Sequence, residues 1–261
     1  VFAKNKGIKT IDTAIDYDSE SYFSDIDLSG LKINSKLPKV PGDIKKIDKW
    51  IKEKIETSLK RLDISKINCL LLHNPNQLFE KKGREIWKSL DSLKREKIVK
   101  KIGVSIYDPH QIDEINSLFN FDVIQSPFNL FDRRLYDSGW LENKHKKETE
   151  IQVRSVFLQG LLLLKKDNLP EEFSKWSKLW ERLDLFLNKY NFSNLDLLLS
   201  FIKSFEEIDT IILGIDNIRQ LKEIIRSLNK DIKNLPDIYS QDEDLINPLN
   251  WSLYKKNKKE F

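Results

Sequence analysis

Gly7-Ile8-Lys9-Thr10-Ile11-Asp12-Thr13-Ala14-Ile15-Asp16-Tyr17 is a short β-rich run that closes on polar residues, Asp12 and Tyr17. Runs of this kind recur along the chain. With the first strand taken as Ile8 to Ala14, the others are Leu31 to Leu37, Ile67 to His73, Lys100 to Ile106, Phe121 to Gln125, Glu150 to Phe157 and Thr210 to Ile215. Amphipathic stretches separate them. In the clearest, Ile44 to Leu62, the residues Ile47, Ile51, Ile55 and Leu59 recur every four positions and make one apolar stripe suited to a sheet. Asp108 and Pro109, after the fourth run, read as the cap and first residue of another helix. This alternation predicts repeated βα units around a parallel sheet.

Such units build either an open doubly wound sheet or a closed barrel. The open sheet calls for a phosphate-holding glycine cluster after an early strand. The eight glycines are instead scattered, with no GxGxxG and no GxxxxGK[ST]. The expected fold is therefore an α/β (β/α)8 TIM barrel with seven strand-helix units in this sequence. No linker or composition break divides it, so a single domain over 1–261 is expected. Val1 to Gly7 reads as the tail of a helix, which places the barrel's first strand outside this sequence. The lack of any Met and the start at Val1 carry the same expectation, an intact mass well above 30.9 kDa.

Lys and Arg number 45 against 41 Asp and Glu, a net charge of +4, and so balanced a surface argues against a nucleic-acid partner. A single cysteine, Cys69, excludes an internal disulfide and suits a reducing cytoplasm. Neither a membrane-length apolar stretch nor a leader is read. With three His and one Cys, no metal site is expected.

In a parallel barrel the strand C-termini share one face, so polar residues there converge whatever their separation. That rule selects Asp12, Tyr17, Lys36 and His73. A buried Lys and Asp are costly apart, which predicts a Lys36–Asp12 pair. Reducing a carbonyl makes an alkoxide that needs a proton donor. A phenol serves if a nearby cation favours its ionised form, so Lys36 would activate Tyr17, Asp12 would hold Lys36, and a neutral His73 would orient the carbonyl. Hydride must come from a nicotinamide cofactor.

The run Gly7 to Ala14 ending at Tyr17, then Ser35-Lys36, then Leu70 to Pro75, resembles the Asp, Tyr, Lys and His tetrad of the aldo-keto reductases, in order and each on the expected strand. Ile55 to Leu62, the "IGVS" strand Ile98 to Ser105, the "QxPYNL"-like Val123 to Leu130, and Gly214 to Ile224 extend the likeness from Val1 to Leu228. The resemblance implies NADP(H) bound across the barrel mouth, with NAD(H) the alternative, and a small carbonyl substrate. It places Ser105 and Gln125 on the nicotinamide amide, Arg154 beside the ring, and Ser155 and Phe157 toward the pyrophosphate. Gly214, Asp216, Asn217, Gln220 and Glu223 match the adenosine side. There are departures. Gln220 stands where an Arg often holds the 2′-phosphate, with Arg219 the available substitute. Ile106 replaces an Asn, Asp18 a Gly, and the stretch from Tyr17 to Lys36 is short.

Taken singly, these residues have blander readings. A strand-end tyrosine is usually packing, and Asn74-Pro75 after His73 reads as a turn. His110, His145 and the Lys255 to Lys259 run read as solvated, and Trp50, Trp87, Trp176 and Trp180 as packing between helices. Phe23, Asn74, Phe128, Trp140 and Trp251 are the candidates for lining a substrate pocket. Two further functions stand beside the reductase: a cofactor-binding regulatory or low-turnover barrel, and a barrel lyase using Lys36 as a Schiff base.

Overall fold

Among the described residues, seven strands overlap the seven expected runs: β1 (Thr10–Asp12), β2 (Lys32–Leu37), β3 (Ile67–Leu72), β4 (Val99–Ser105), β5 (Val123–Pro127), β6 (Glu150–Arg154) and β7 (Thr210–Ile211). The helices are α1 (Phe2–Asn5), α2 (Ile47–Leu62), α3 (Gly83–Arg95), α4 (Ile112–Leu118), α5 (Arg134–Asp137), α6 (Ser177–Tyr190), α7 (Asn194–Lys203), α8 (Ile218–Leu228) and α9 (Glu243–Ile246). The computed structural model describes residues 2–143 and 148–251, so His145 and Lys255 to Lys259 fall outside the described residues. The chain divides into two compact units, Val1–Ser126 with Lys147–Ile151, and Pro127–Lys146 with Gln152–Phe261. Among the described residues no helix is long and apolar enough to cross a membrane.

In the first unit β1 to β5 pair in chain order and parallel. Their register sorts the side chains. Asp12 aligns with Asn34, Asn34 with Cys69, Leu71 with Gly103, Gly103 with Val123 and Ser105 with Gln125. Aligned residues share a face, and side chains alternate along a strand. One face therefore carries Asp12, Lys36, Ser105 and Gln125, and the other carries Ile33, Ser35 and Leu37. Gly103 is forced by this crowding, because a Cβ there would lie 2.0 Å from the Val123 carbonyl oxygen and 3.0 Å from Leu71 Cδ2.

The α2 helix covers the second face. Its buried residues are Ile47, Ile51, Ile55, Ser58 and Leu62. A stripe at 3.6 residues per turn drifts from strict fours, so Ser58 and not Leu59 completes the buried row. The helix starts at Ile47, three residues after its expected start, because Pro41 to Ile44 closes a turn through Ile44 N–H to the Pro41 carbonyl at 3.2 Å. It ends at Asp63, which adopts a left-handed conformation (φ 50°). The expected cap at Asp108 accepts from His110 N–H at 3.0 Å and opens a 3-10 turn that leads into α4.

In the second unit the end of β6 pairs parallel with β7, Gln152 against Thr210 and Val153 against Ile211. Its core stacks Phe128 on Phe201 and Phe205, Phe131 on Trp180, and Phe173 on Trp251. Buried Asp132 takes a bidentate bond from Arg134, at 2.9 and 2.8 Å. Asp196 ties α7 to the end of α8, accepting from Ser227 Oγ at 2.7 Å and Lys230 Nζ at 2.6 Å.

Candidate active site

Asp12 and Lys36 form the expected ion pair at the ends of β1 and β2. Both side chains are largely buried, so the pair is stable only if its remaining hydrogen-bonding groups are met. Two further bonds go most of the way. Lys36 Nζ also donates to the Thr13 carbonyl at 3.1 Å, and Gln125 Nε2 donates to Asp12 Oδ1 at 3.0 Å. Ser105 Oγ donates to Gln125 Oε1 at 3.3 Å. Four strand ends are thus linked by one polar chain from Ser105 to Lys36.

Tyr17 and His73 stand at the same strand ends. The chain leaving β1 is pinned to β2 by Ile15 N–H to the Lys36 carbonyl at 3.1 Å, and turns through Tyr17 N–H to the Ala14 carbonyl at 2.9 Å. His73 follows β3 and donates its N–H to the Leu37 carbonyl at 3.0 Å. The two rings meet edge to face, centroids 6.2 Å apart at 77°. Tyr17 is 47 % exposed, whereas Lys36 is buried.

The second unit holds the other candidates. β6 ends at Arg154, short of the expected Phe157, because the next residue turns left-handed. Ser155, Leu158 and Gln159 have φ of 57°, 47° and 56°, and Gly160 follows at 88°. Left-handed backbone costs a non-glycine residue about 1–2 kcal/mol, and such strain gathers at functional loops. The loop is braced by Asn129 Nδ2 donating to the Ser155 carbonyl at 3.1 Å, and Arg154 Nη1 meets Ser155 Oγ at 3.2 Å. Further along, Gly214, Asp216 and Asn217 are exposed before α8. Asn217 caps that helix, accepting from Gln220 N–H at 3.0 Å. The Gln220 amide bridges back to Asp216, and Glu223 lies 3.9 Å from Arg219.

With this arrangement in view, the comparisons with known proteins are direct. The aldo/keto reductase family matches residues 2–240. The chain belongs to that family. It is 26 % identical to the uncharacterized oxidoreductase YqkF of Bacillus subtilis over 74 % of this chain and 67 % of that protein. It is 31 % identical to the aldo-keto reductase YhdN of the same organism, over 48 % of this chain but only 36 % of that protein. The aldo-keto reductase AKR11C1 from Bacillus halodurans, in its holo form, superposes with a TM-score of 0.74 at 19 % identity, over 92 % of this chain and 87 % of that one. The fold class is therefore the (β/α)8 barrel of the aldo-keto reductases, an oxidoreductase family acting on small carbonyl compounds with a nicotinamide cofactor.

Within this aldo-keto reductase, the pocket candidates Phe23 and Asn74 belong to the first unit and Phe128, Trp140 and Trp251 to the second. Asn74 follows His73 and precedes the 3-10 turn Pro75–Phe79. Phe23 packs with Leu28, Ile33 and Leu62, on the face of β2 opposite Lys36, so the structure does not bring it to the tetrad. Its apolar ring belongs to the sheet-helix core. Phe128, Trp140 and Trp251 are buried core residues of the second unit, the Trp251 indole donating to the Leu245 carbonyl at 3.1 Å. One group escaped the sequence reading entirely. Glu20 is buried between Ser35 and Ser58. The signal for it was Ser58, a polar residue on the buried row of α2.

Proposed function

We propose that the protein reduces an aldehyde or ketone to an alcohol, with NADP(H) as cofactor and NAD(H) the alternative. The single observation that carries this reading is the polar chain Ser105–Gln125–Asp12–Lys36 at the strand ends, beside the Tyr17–His73 ring pair. Asp12 and the Thr13 carbonyl take two of the three N–H donors of Lys36, and we assign the third to the Tyr17 oxygen. A cation there favours phenolate over phenol and so lowers the cost of giving up the proton. Tyr17 is the general acid, and His73 orients the carbonyl oxygen that receives the proton.

Ser105 and Gln125 fit a carboxamide, since paired strand ends present one hydroxyl and one side-chain amide, both buried. The reduced nicotinamide, when bound, supplies the hydride. By family resemblance Arg154, Ser155, Phe157, Gly214, Asp216, Asn217, Gln220 and Glu223 are the proposed remaining cofactor contacts. A Schiff base on Lys36 is disfavoured, because its amine is committed as a donor to Asp12 and Thr13. Cys69 is buried with its thiol pushed well up by desolvation and by Glu150, which makes it a packing residue and not a nucleophile; a cytoplasmic location is proposed on the single cysteine of the sequence.

Tyr17→Phe tests the assignment. It keeps the ring and removes the hydroxyl, so single-turnover carbonyl reduction should fall about 10²- to 10⁴-fold while NADPH affinity, read by fluorescence, is unchanged. Near-normal reduction by this variant would show that the phenol is not the acid.

A further inference from the structure

On the face of β2 away from Lys36, a second carboxyl is buried that proton transfer does not itself require. Glu20 belongs to the 3-10 turn Asp18–Phe23, which begins immediately after Tyr17, and it is fully excluded from solvent. Its Oε1 accepts from Ser58 Oγ on α2 at 2.9 Å and from Ser35 Oγ on β2 at 3.2 Å. Its Oε2 is buried with no hydrogen-bond partner among the described residues. For stability alone this is a poor choice, because an apolar side chain would fill the space without leaving a buried polar atom unmet. What a carboxyl adds is direction, since two converging hydroxyls fix it far more tightly than apolar contact does.

The backbone carries that direction to Tyr17. Glu20 N–H donates to the Tyr17 carbonyl at 3.2 Å, closing one turn between clamp and phenol. At the other end of the clamp, Ser35 is the neighbour of Lys36 on a rigid strand. We propose that Glu20 is a positioning residue, whose clamp on Ser35 and Ser58 fixes the turn bearing Tyr17 relative to the strand bearing Lys36. This rests on the reading of Tyr17 as proton donor. The charged groups facing the carboxyl are Arg61 on α2 and Asp16 in the turn before Tyr17. Burial pushes its pKa above the ordinary 4.5, against the pull of Ser58, Ser35 and Arg61, with Asp16 adding a smaller upward push.

The test compares Glu20→Ala, Glu20→Gln, a Ser35→Ala/Ser58→Ala double variant and Tyr17→Phe in the full chain. A turn released from its clamp moves the phenol from Lys36 by a fraction of an ångström or more, and misplacement on this scale costs about 10- to 100-fold in rate. Glu20→Ala should therefore lower kcat by that range with NADPH affinity retained. The high-pH limb of kcat, where the acid ionises, should move up toward an ordinary phenol. Glu20→Gln keeps an oxygen for the serines and should recover most of the rate and the limb position. Backbone amides of residues 18–23 should exchange at least about tenfold faster in Glu20→Ala. If Glu20→Ala does not fold, the double serine variant must show the same upward limb shift. An unmoved limb in the alanine or double serine variants, or Glu20→Gln as impaired as Glu20→Ala, overturns the proposal. Near-normal turnover by Tyr17→Phe instead overturns the assignment of Tyr17, and so separates the two failures.

Discussion

Gln125 and Asp12 stand 113 residues apart and are joined by a 3.0 Å hydrogen bond, to the carboxylate oxygen that Lys36 does not take. That bond makes the ion pair tolerable inside the fold and commits one amide proton of Gln125. The neighbouring Ser105 hydroxyl commits its oxygen. A residue proposed to hold the cofactor is thereby held by a residue proposed to serve the proton donor.

Removing one charge of the pair should be costly, and removing both should not. Lys36→Met leaves Asp12 buried and unpaired, and should lower stability by about 3–5 kcal/mol. Adding Asp12→Leu should return much of that loss while reduction stays abolished. Urea unfolding beside a turnover assay checks both, and a double variant no more stable than the single would contradict this account.

Gly103→Ala should destabilise the fold although it is a single added methyl. The methyl would meet the Val123 backbone at 2.0 Å, forcing β4 from β5 just before the Ser105–Gln125 step. We expect a loss of about 3 kcal/mol or more, visible as a lower urea midpoint, with weakened NADPH binding in whatever folds.

Asp196 gives the second unit an acid limit. Burial alone would push its carboxyl up, but Lys230, Ser227 and Ser193 together hold it at about 2, below the ordinary 3.8. A depressed pKa stabilises the fold above pH 3.8 and loses that contribution as pH falls through about 2. Asp196→Asn should therefore cost about 2 kcal/mol near neutrality, and the gap to the unmodified protein should narrow as pH is lowered across that window. A gap independent of pH would show that the carboxylate's charge is not the source.

Gln220→Ala removes the amide bridge that shapes the segment before α8. Cofactor affinity should fall about tenfold, a loss of roughly 1.4 kcal/mol, with little change in single-turnover rate at saturating NADPH. Comparing NADPH with NADH for Arg219→Ala in the same titration tests whether Arg219 reads the 2′-phosphate, since loss of its contact should weaken NADPH and spare NADH.

Asp12, Lys36 and His73 could be picked out as candidates because they interrupt apolar runs at strand ends, where an unneeded polar group would be costly. Glu20 could not, since an acid in a polar turn looks like any solvated one until the fold closes over it. Element ends were also misjudged where backbone conformation decides them. β6 stops at Arg154 because Ser155 turns left-handed, which no residue type there announces, and β7 keeps only Thr210 and Ile211.

Apolar spacing and turn residues act within a few positions, and from them follow the seven strands, the helix on β2, and the polar strand-end candidates Asp12, Lys36 and His73. Register acts across the chain. That Gly103 must lie against Val123, that Gln125 reaches Asp12, and that Ser35 and Lys36 turn to opposite faces to meet Glu20 and Asp12 depends on which backbone groups pair over long separations. Those pairings become favourable only when many distant segments are buried together, so tertiary structure alone could settle them.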